Sequence, residues 1–396
     1  MKTADSFQGQ FVLALAHVAG MIDMVALPLW IGALIQYYKY SPVQAGITVT
    51  LFLFGVVVSS VMLAPKFNHL PRRFATALGF GLASLIFAVM CFVPVSVQSF
   101  QLLAVLHIIA GIGVGTALTF THGVMGRCSN PHRSWAIANV VLGVFAVVFF
   151  AGIPQLILRV GPSGFFAVVS ITMGLAAIVV ALLFPAVAPS KREELGIAAI
   201  VGVAIPKAAW FVIAVIVCLT LNQSMVFAFV ERIGTDGGYG QDKVNAVLIA
   251  LGLVNLTPGI LAALLEKKWS PIAVGFAGPI GQALLAVLIS SGFAFGIFAV
   301  AAAFYVFMVI FTHTFLFGLL SKLDSSGRAA AATPAMMMIG SCIGPALGGV
   351  IVQSIGYKGL GWAACFVAIV AAICMTQCRS ATSNKYKAQA VPVQGS

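Results

Sequence analysis

Twelve long apolar stretches, separated by short polar breaks, dominate this chain of 396 residues. Each stretch reaches the roughly 20 residues that a helix needs to cross a bilayer. Only 8% of the residues are charged and 61% are apolar, which excludes a water-soluble protein with its usual charged share of about 25%. The continuous runs also exclude the alternating strands of an outer-membrane barrel. We therefore predict an all-α integral membrane protein with twelve transmembrane helices at 11–37, 43–65, 74–95, 100–123, 134–158, 163–187, 208–230, 244–265, 271–292, 294–320, 329–354 and 359–378.

The longest polar break divides the twelve predicted spans into six and six. We predict an N-terminal half at 1–187, a cytoplasmic central loop at 188–207, and a C-terminal half with a short cytoplasmic tail at 208–396. The tripeptide Phe-Thr-His occurs in the fourth span of each half, at 120–122 and at 311–313. A parallel duplication of six spans leaves such a pattern, and it places a substrate site at the interface of two halves.

The positive charge of the chain is unevenly distributed between alternate loops. If the N-terminus is cytoplasmic, the external loops hold only five of the 21 Lys and Arg residues: Lys39, Arg159, Arg232, Lys243 and Lys358. The positive-inside rule then places both termini in the cytoplasm. We interpret the net charge of +12 as this orientation signal, and we expect no nucleic-acid partner. The expected location is the plasma membrane, as in a bacterial inner membrane.

One carboxylate, Asp23, lies deep in a predicted span, whereas Glu231 and the other acids fall in loops or at span ends. A charge inside the bilayer is costly unless it faces water or a partner, so an intramembrane acid indicates function by default. The alternative is a protonated, hydrogen-bonded packing residue. His107 in span four is a second candidate, because small changes of environment suffice to protonate a histidine. Its alternative role is a neutral ring that donates to a nearby carbonyl.

Four neutral polar side chains at the middle depths of spans are candidates for a substrate cavity, and so is Trp30, which shares a helix face with Asp23: Trp30, Asn222, Gln223, Asn255 and Tyr305. The neutral polar groups among them are equally suited to joining helices by hydrogen bonds. The indole of Trp30 is equally suited to anchoring a helix at the membrane interface. The residue types alone leave these alternatives open.

Glycines at 111, 113 and 115 lie inside the apolar fourth span, where no strand precedes them. This context excludes a dinucleotide-binding loop and favours close packing of two helices. His17, His122 and His313 lie near predicted cytoplasmic span ends, where headgroup water can hydrate them. Their spacing is not that of metal ligands on one helix, so we expect no metal and no cofactor.

The loop at 64–73 reads Ala-Pro-Lys-Phe-Asn-His-Leu-Pro-Arg-Arg. It resembles the signature between spans two and three of the major facilitator superfamily, in particular of its twelve-span proton-coupled drug and metabolite transporters, with Asn68 in place of an acid and with Arg72 and Arg73 retained. Asn68 is able to cap the following helix, although it brings no charge. His107 replaces the Arg of the span-four pattern, and Asp23 precedes Pro28 as in multidrug transporters.

Span eleven carries a second group of packing residues that resembles the family's Gly-Pro-rich helix: Gly344, Pro345, Gly348 and Gly349. The antiporter motif of this family belongs in span five, where Gly152-Ile153-Pro154 does not match it.

The resemblance implies a secondary active transporter, not an enzyme, that moves a small organic solute by alternating access. It further implies proton coupling through Asp23 and His107, on helices that both line the central cavity, so that the two side chains can act as one unit if they meet. The chain has no Lys or Arg deep in a span, so we expect a neutral, weakly acidic or cationic solute. We expect a monomer in the bilayer. The alternatives are a proton/drug efflux antiporter and, in other classes, a haem or metal membrane enzyme or a non-transporting receptor.

Overall fold

The structure is a computed structural model, and it describes residues 3–186, 205–323 and 333–389. Nearly all of the predicted central loop at 188–207, the loop after span ten, and the end of the cytoplasmic tail lie outside the described residues. Within the described ranges the chain forms fifteen α-helices: α1 Phe7–Gly20, α2 Ile22–Gln36, α3 Pro42–Leu63, α4 Arg72–Met90, α5 Phe100–Met125, α6 Pro131–Val160, α7 Ser163–Leu183, α8 Lys207–Phe227, α9 Val230–Asp236, α10 Gln241–Val254, α11 Pro258–Leu265, α12 Pro271–Ser290, α13 Phe295–Leu323, α14 Thr333–Ile355 and α15 Lys358–Gln389.

These helices build twelve segments that are long and apolar enough to cross a membrane, so the predicted number of spans is confirmed. Spans one, seven and eight each consist of two helices: α1 with α2, α8 with α9, and α10 with α11. Twelve alternating spans bring both ends of the chain to one side, which we call the terminal face. The other side is the opposite face.

Local sequence signals explain where several helices begin. The Ser6 hydroxyl accepts a hydrogen bond from the Gly9 N–H at the start of α1. Ser41 and Gln44 form a reciprocal capping box at the start of α3, with Pro42 in the first turn. Such caps satisfy backbone N–H groups that have no partner within the helix.

Span one is broken at mid-membrane, which corrects the prediction of one continuous helix over 11–37. Met21 leaves the helical conformation, with φ −104° and ψ 20°, yet its N–H still bonds the His17 carbonyl. The new helix α2 begins at once, with Asp23 in its first turn. Span seven breaks in the same way at Phe229, with φ −107° and ψ 2°, and Glu231 lies in the first turn of α9.

Glycines bring the helices of the first six spans into backbone contact. A Cβ atom on Gly111 of span four would lie 2.9 Å from the carbonyl carbon of Phe52 in span two. A Cβ on Gly113 would lie 2.6 Å from the carbonyl oxygen of Gly79 in span three. Gly115 also faces span two, against the backbone of Val56. Span four therefore packs tightly between two neighbours because these positions have no side chain.

The last six spans repeat this packing with the glycines of span eleven. A Cβ on Gly344 would lie 2.7 Å from the Met225 nitrogen, and one on Gly348 would lie 2.7 Å from the Met225 carbonyl oxygen. Span eleven thus lies directly against span seven. Both spans line the centre of the molecule.

The two sets of six spans contact one another on the opposite face. Gly46 of span two approaches the carbonyl group of Pro345 in span eleven, and Gly349 approaches that of Pro42. Deeper in the membrane, the Thr50 hydroxyl donates to the Cys342 carbonyl at 2.8 Å. We call these contacts between spans two and eleven, together with the contact of Gly32 with Glu231 described below, the seam.

On the terminal face, the start of the chain is tied to later parts of the first six spans. Asp5 accepts hydrogen bonds from the Ser129 N–H and hydroxyl, each at 2.8 Å. The Ala4 N–H donates to the Ala186 carbonyl at 3.0 Å, beyond the end of span six. These bonds close the six-helix unit on itself.

Candidate functional site

Asp23 lies where span one is interrupted, at the centre of the membrane. Asp23 is only 5% exposed, and it occupies the first turn of α2. The first N–H groups of a helix have no partner within the helix, and the helix dipole favours a negative charge beside them. The break therefore gives a buried carboxylate an environment that an unbroken transmembrane helix does not offer.

A small cavity adjoins Asp23, and four spans from both halves line it. Its free volume is about 10 Å³, which is room for about one water molecule. Its lining residues come from spans one, two, seven and eleven: Asp23, Met24, Leu27, Leu53, Gln223, Ser224, Phe227 and Ser341. A carboxylate, an amide and two hydroxyls thus converge in an otherwise apolar wall, where they can bind a proton, an amine or a hydroxyl group.

His107 does not face Asp23 in this conformation. Its Nε2 accepts a hydrogen bond from the indole N–H of Trp30 at 3.1 Å, so Nδ1 carries the proton and donates to the Leu103 carbonyl at 2.6 Å. Both ring nitrogens are occupied, and the Asp23 cavity does not include His107. The predicted unit of Asp23 and His107 is therefore not assembled here.

Trp30 itself is fully buried, which excludes the alternative that it anchors a helix at the membrane interface. Its ring lies 5.1 Å from that of Phe52 and 5.6 Å from that of Phe165, measured between centroids. Trp30 and His107 thus form the polar centre of an aromatic cluster within the first six spans.

Only one of the other four predicted cavity residues lines the Asp23 cavity. Gln223 lines the Asp23 cavity. Tyr305 and Asn222 instead join helices of the second half: the Tyr305 hydroxyl donates to the Asn222 carbonyl at 2.7 Å, and the Asn222 amide donates to the Ala364 carbonyl at 3.4 Å. Asn255 lies at the break between α10 and α11, and its Oδ1 is buried without a hydrogen-bond partner.

In the loop after span two, on the terminal face, Asn68 and Phe67 hold the side chains of two arginines. The Asn68 oxygen accepts from Arg72 at 3.3 Å and from Arg127 of the next terminal loop at 2.9 Å. Both guanidinium groups also lie over the Phe67 ring, at 4.5 and 4.7 Å from its centroid. Arg73 instead donates to the Ala181 carbonyl at 2.7 Å, which ties span three to span six.

The expectation that Asn68 caps the helix after this loop is wrong. The capping position before α4 belongs to Pro71, which makes no side-chain cap. The Asn68 carbonyl oxygen is oriented towards the two arginines instead, because it is the acceptor that neutral Asn still supplies in place of the family's acid.

Glu231 is a buried carboxylate near the end of span seven, as predicted, although the predicted span stopped one residue before it. The residue is 3% exposed and lies within span seven, Lys207–Asp236. Its Oε1 accepts from the Gln241 amide at 3.1 Å, whereas Oε2 has no hydrogen-bond partner. The predicted span ended at residue 230, six residues before the observed end at Asp236, because an acid was taken as the end of an apolar run.

Two histidines meet near the terminal face, which the sequence did not predict. His17 Nδ1 lies 3.1 Å from His122 Nε2, and the Trp135 ring lies 4.7 Å from that of His122. His17 is 2% exposed, and His313 is 4% exposed. The expectation that headgroup water hydrates these two rings is wrong, because neighbouring helices cover them. Across the part of the chain that the structure describes, no group of three or more His, Cys, Asp or Glu residues has the arrangement of a metal site.

The sequence and the fold match known transporters. A family model described as Major Facilitator Superfamily matches residues 12–333. A solved structure described as a D-xylose-proton symporter has a TM-score of 0.72 at 15% identity, with 94% of this chain and 97% of that chain covered. A bacterial homolog of the human lysosomal transporter Spinster, inward-facing and occupied, has a TM-score of 0.67 at 11% identity, with 97% of this chain and 98% of that chain covered. No curated protein matches the sequence.

Proposed function

Because the chain belongs to the major facilitator superfamily of transporters, we propose that it is a secondary active transporter that couples a small organic solute to protons. The observation that carries the proposal is the position of Asp23. It combines deep burial, a broken helix and a cavity that both halves line. Broken helices at mid-membrane mark the substrate and ion sites of many transporters.

Asp23 is the proposed proton carrier. Ionised Asp23 favours a conformation in which bulk water or a cationic group reaches it, whereas protonated Asp23 tolerates the small closed cavity seen here. Protonation therefore biases which side of the cavity opens. The cavity has a volume of about 10 Å³ and is too small for an organic solute, so the solute enters a wider conformation.

His107 has a positioning role in this proposal. Its hydrogen bond with Trp30 holds span four against span one, and its bond to the Leu103 carbonyl, one turn earlier in span four, orients the ring. Protonation of Nε2 would displace the Trp30 N–H, so a proton on His107 requires the aromatic cluster to rearrange.

The proposed solutes are neutral, weakly acidic or cationic. The residues that line the Asp23 cavity include no Lys or Arg, and a desolvated strong anion needs fixed positive charge. The described D-xylose-proton symporter is a protein of this fold whose name pairs a neutral solute with protons. Saturable flux of a phosphate monoester that a cavity substitution abolishes would contradict this restriction.

The direction of transport has two candidates. Proton-driven uptake is favoured by the absence of the antiporter motif from span five. Efflux by proton antiport is favoured by Asp23 ahead of Pro28 in α2. The direction of the imposed proton gradient distinguishes them: proteoliposomes that are acidic outside should accumulate the solute by symport, whereas proteoliposomes that are acidic inside should accumulate it by antiport.

We also propose that the terminal face is cytoplasmic and that the protein works as a monomer in the plasma membrane. The excess of Lys and Arg in the terminal-face loops supports this orientation. In a protein without native cysteines, single cysteines at Ser129 and Ser326 should react with an impermeant thiol reagent only from the cytoplasm, and one at Gly238 only from outside. Reversal at two of the three positions would overturn the orientation.

The test of proton coupling is Asp23→Asn in proteoliposomes. A thermal-shift screen of metabolites and antibiotics first identifies a solute that stabilises the protein. Asp23→Asn should still exchange that solute, because the amide preserves volume and hydrogen bonding, but it should lose accumulation driven by a proton gradient. Asp242→Asn removes an exposed acid and should leave accumulation intact. Undiminished proton-driven accumulation in Asp23→Asn would remove this residue from the mechanism.

A further inference from the structure

The broken spans one and seven each carry a buried acid just after the break, and the acid of span seven has no role in the proposed function. In each, the second residue after the break is a buried acid: Asp23 follows Ile22 in α2, and Glu231 follows Val230 in α9. These are the first spans of the two halves. Each half therefore carries one buried carboxylate at the second position after the break of its first span, although the break lies in the middle of span one and near the end of span seven.

Glu231 lies at the seam, nearer the opposite face than Asp23. It packs against Gly32 of α2, where an added Cβ would lie 3.0 Å from its carboxyl carbon. Gly32 follows Asp23 by nine residues, which is about 13 Å along a helix. The carboxyl group of one half is thus enclosed by the backbone of the other half.

The surroundings of Glu231 do not neutralise a negative charge. Its Oε1 accepts one bond from Gln241, and Oε2 is buried without any partner. Gly32 of α2, and Gln241 and Asn245 of α10, present only uncharged groups. The nearby end of α12, residues 283–290, contains no ionisable residue.

The charged groups near Glu231 are Arg232 and Asp236 of its own helix. These two form an ion pair with each other, and Arg232 also donates to Gln36 across the seam at 3.4 Å. Tyr357 donates to Asp236 at 2.5 Å. Burial and the Asp236 carboxylate raise the pKa of the Tyr357 hydroxyl, so it remains a donor. Arg232 therefore pairs with Asp236 and not with Glu231, although its Nε is buried without a hydrogen-bond partner, and among the described residues Glu231 forms no ion pair.

We propose that Glu231 is a second proton-binding site, which holds its proton while the seam is closed. A protonated carboxyl group fits the closed seam because it carries no charge into a site that offers one hydrogen bond. When the seam opens, water reaches the group and accepts the proton, which leaves a hydrated carboxylate. Reclosure requires a proton to return. The proposal rests on alternating access but not on Asp23. A result against Asp23 as proton carrier would therefore leave the role of Glu231 open, and the reverse also holds.

Distance measurements across the seam test the proposal without a solute. Nitroxide labels at Gln101→Cys and Ala294→Cys place one probe in each half on the opposite face, in a protein whose seven native cysteines are replaced by serine. Double electron–electron resonance in nanodiscs then reports closed and open populations at each pH. A pair at Gln101→Cys and Arg159→Cys lies within the first half and should not change.

The expected result is that the open population rises with pH by up to tenfold per pH unit, the limit for the release of one proton. Glu231→Gln keeps the shape and the bond with Gln241 but cannot ionise, so its seam should remain closed across the whole pH range. Glu231→Asp should restore a pH dependence, and Asp242→Asn should retain the parent profile. The same measurement in Asp23→Asn should preserve the dependence on Glu231. A parent protein without pH-dependent opening, or a Glu231→Gln protein with the parent profile, would overturn the proposal.

Discussion

The contact between Gly46 and Pro345 provides a direct test of whether the seam opens during transport. A Cβ on Gly46 would lie 2.8 Å from the Pro345 carbonyl carbon and 3.1 Å from the Ala346 Cα, whereas ordinary contacts begin at 3.4 Å. These neighbours are backbone atoms, which cannot rotate away. Gly46→Ala should therefore disfavour the closed seam, and the overlap disappears when spans two and eleven separate.

The magnitude follows from the usual cost of overpacking, about 1–3 kcal/mol. Each 1.36 kcal/mol changes an equilibrium tenfold. The ratio of closed to open seam should thus fall by about 5- to 160-fold in Gly46→Ala. The same change in the population is expected for Gly349→Ala, because a Cβ there would lie 2.9 Å from the Pro42 carbonyl carbon.

Gly111→Ala is the matched control. Its Cβ would lie 2.9 Å from the Phe52 carbonyl carbon and 3.2 Å from the Phe52 Cα, so the local overlap is similar. This contact joins spans two and four within one half, and it persists whether the seam is open or closed. Gly111→Ala should lower the free energy of unfolding by about 1–3 kcal/mol without changing the ratio of closed to open seam.

The assay combines two measurements on each variant. Electron resonance distances between labels at Gln101 and Ala294 report the seam, and unfolding by SDS in mixed micelles reports stability. Gly46→Ala should move the distance distribution, and Gly111→Ala should move only the unfolding curve. If Gly46→Ala kept the closed distances and lost only stability, the seam would be a permanent contact and the reasoning would be refuted.

Two further predictions concern buried hydrogen bonds. Trp30→Phe leaves the His107 Nε2 without its donor, so it should lower the free energy of unfolding in mixed micelles by about 1–3 kcal/mol. The pH dependence of seam opening should stay unchanged. A shifted pH profile would return His107 to the coupling mechanism. Tyr305→Phe removes the bond to the Asn222 carbonyl, and it should lower the free energy of unfolding by about 0.6 kcal/mol, the average for such bonds in membranes. Loss of solute binding without loss of stability would instead indicate that the hydroxyl contacts the solute.

The number of spans was predictable because apolar length determines how often a chain crosses a bilayer. The breaks within the spans were not, because they occur inside apolar sequence. Span one breaks at Met21, where no proline stands, whereas Pro28 lies inside α2 without ending it. Helix breaks of this kind depend on packing against other spans, and a single sequence does not contain that information.

Asp23 was identifiable because one charge in an apolar run is conspicuous. The hydrogen-bond partner of His107 could not be identified from the sequence, since Trp30 and His107 are 77 residues apart along the chain. Glu231 was missed for a different reason: it lies near an apolar run's end, where the sequence permits either a hydrated or a buried acid. The structure shows that Glu231 is buried, with its carboxyl group packed against Gly32 of the other half.

The hydrogen bonds of Asp5 and Ala4 bear on how the protein is made. Asp5 meets Ser129 only after span four has been synthesised, and Ala4 meets the Ala186 carbonyl only after span six. These hydrogen bonds of Ala4 and Asp5 thus depend on later segments of the same half. Since domains generally fold as units during synthesis, N-terminal first, the first six helices can complete their packing in the membrane before translation reaches span seven. An uncleaved N-terminal fusion would act at this step and should slow assembly more than a C-terminal one.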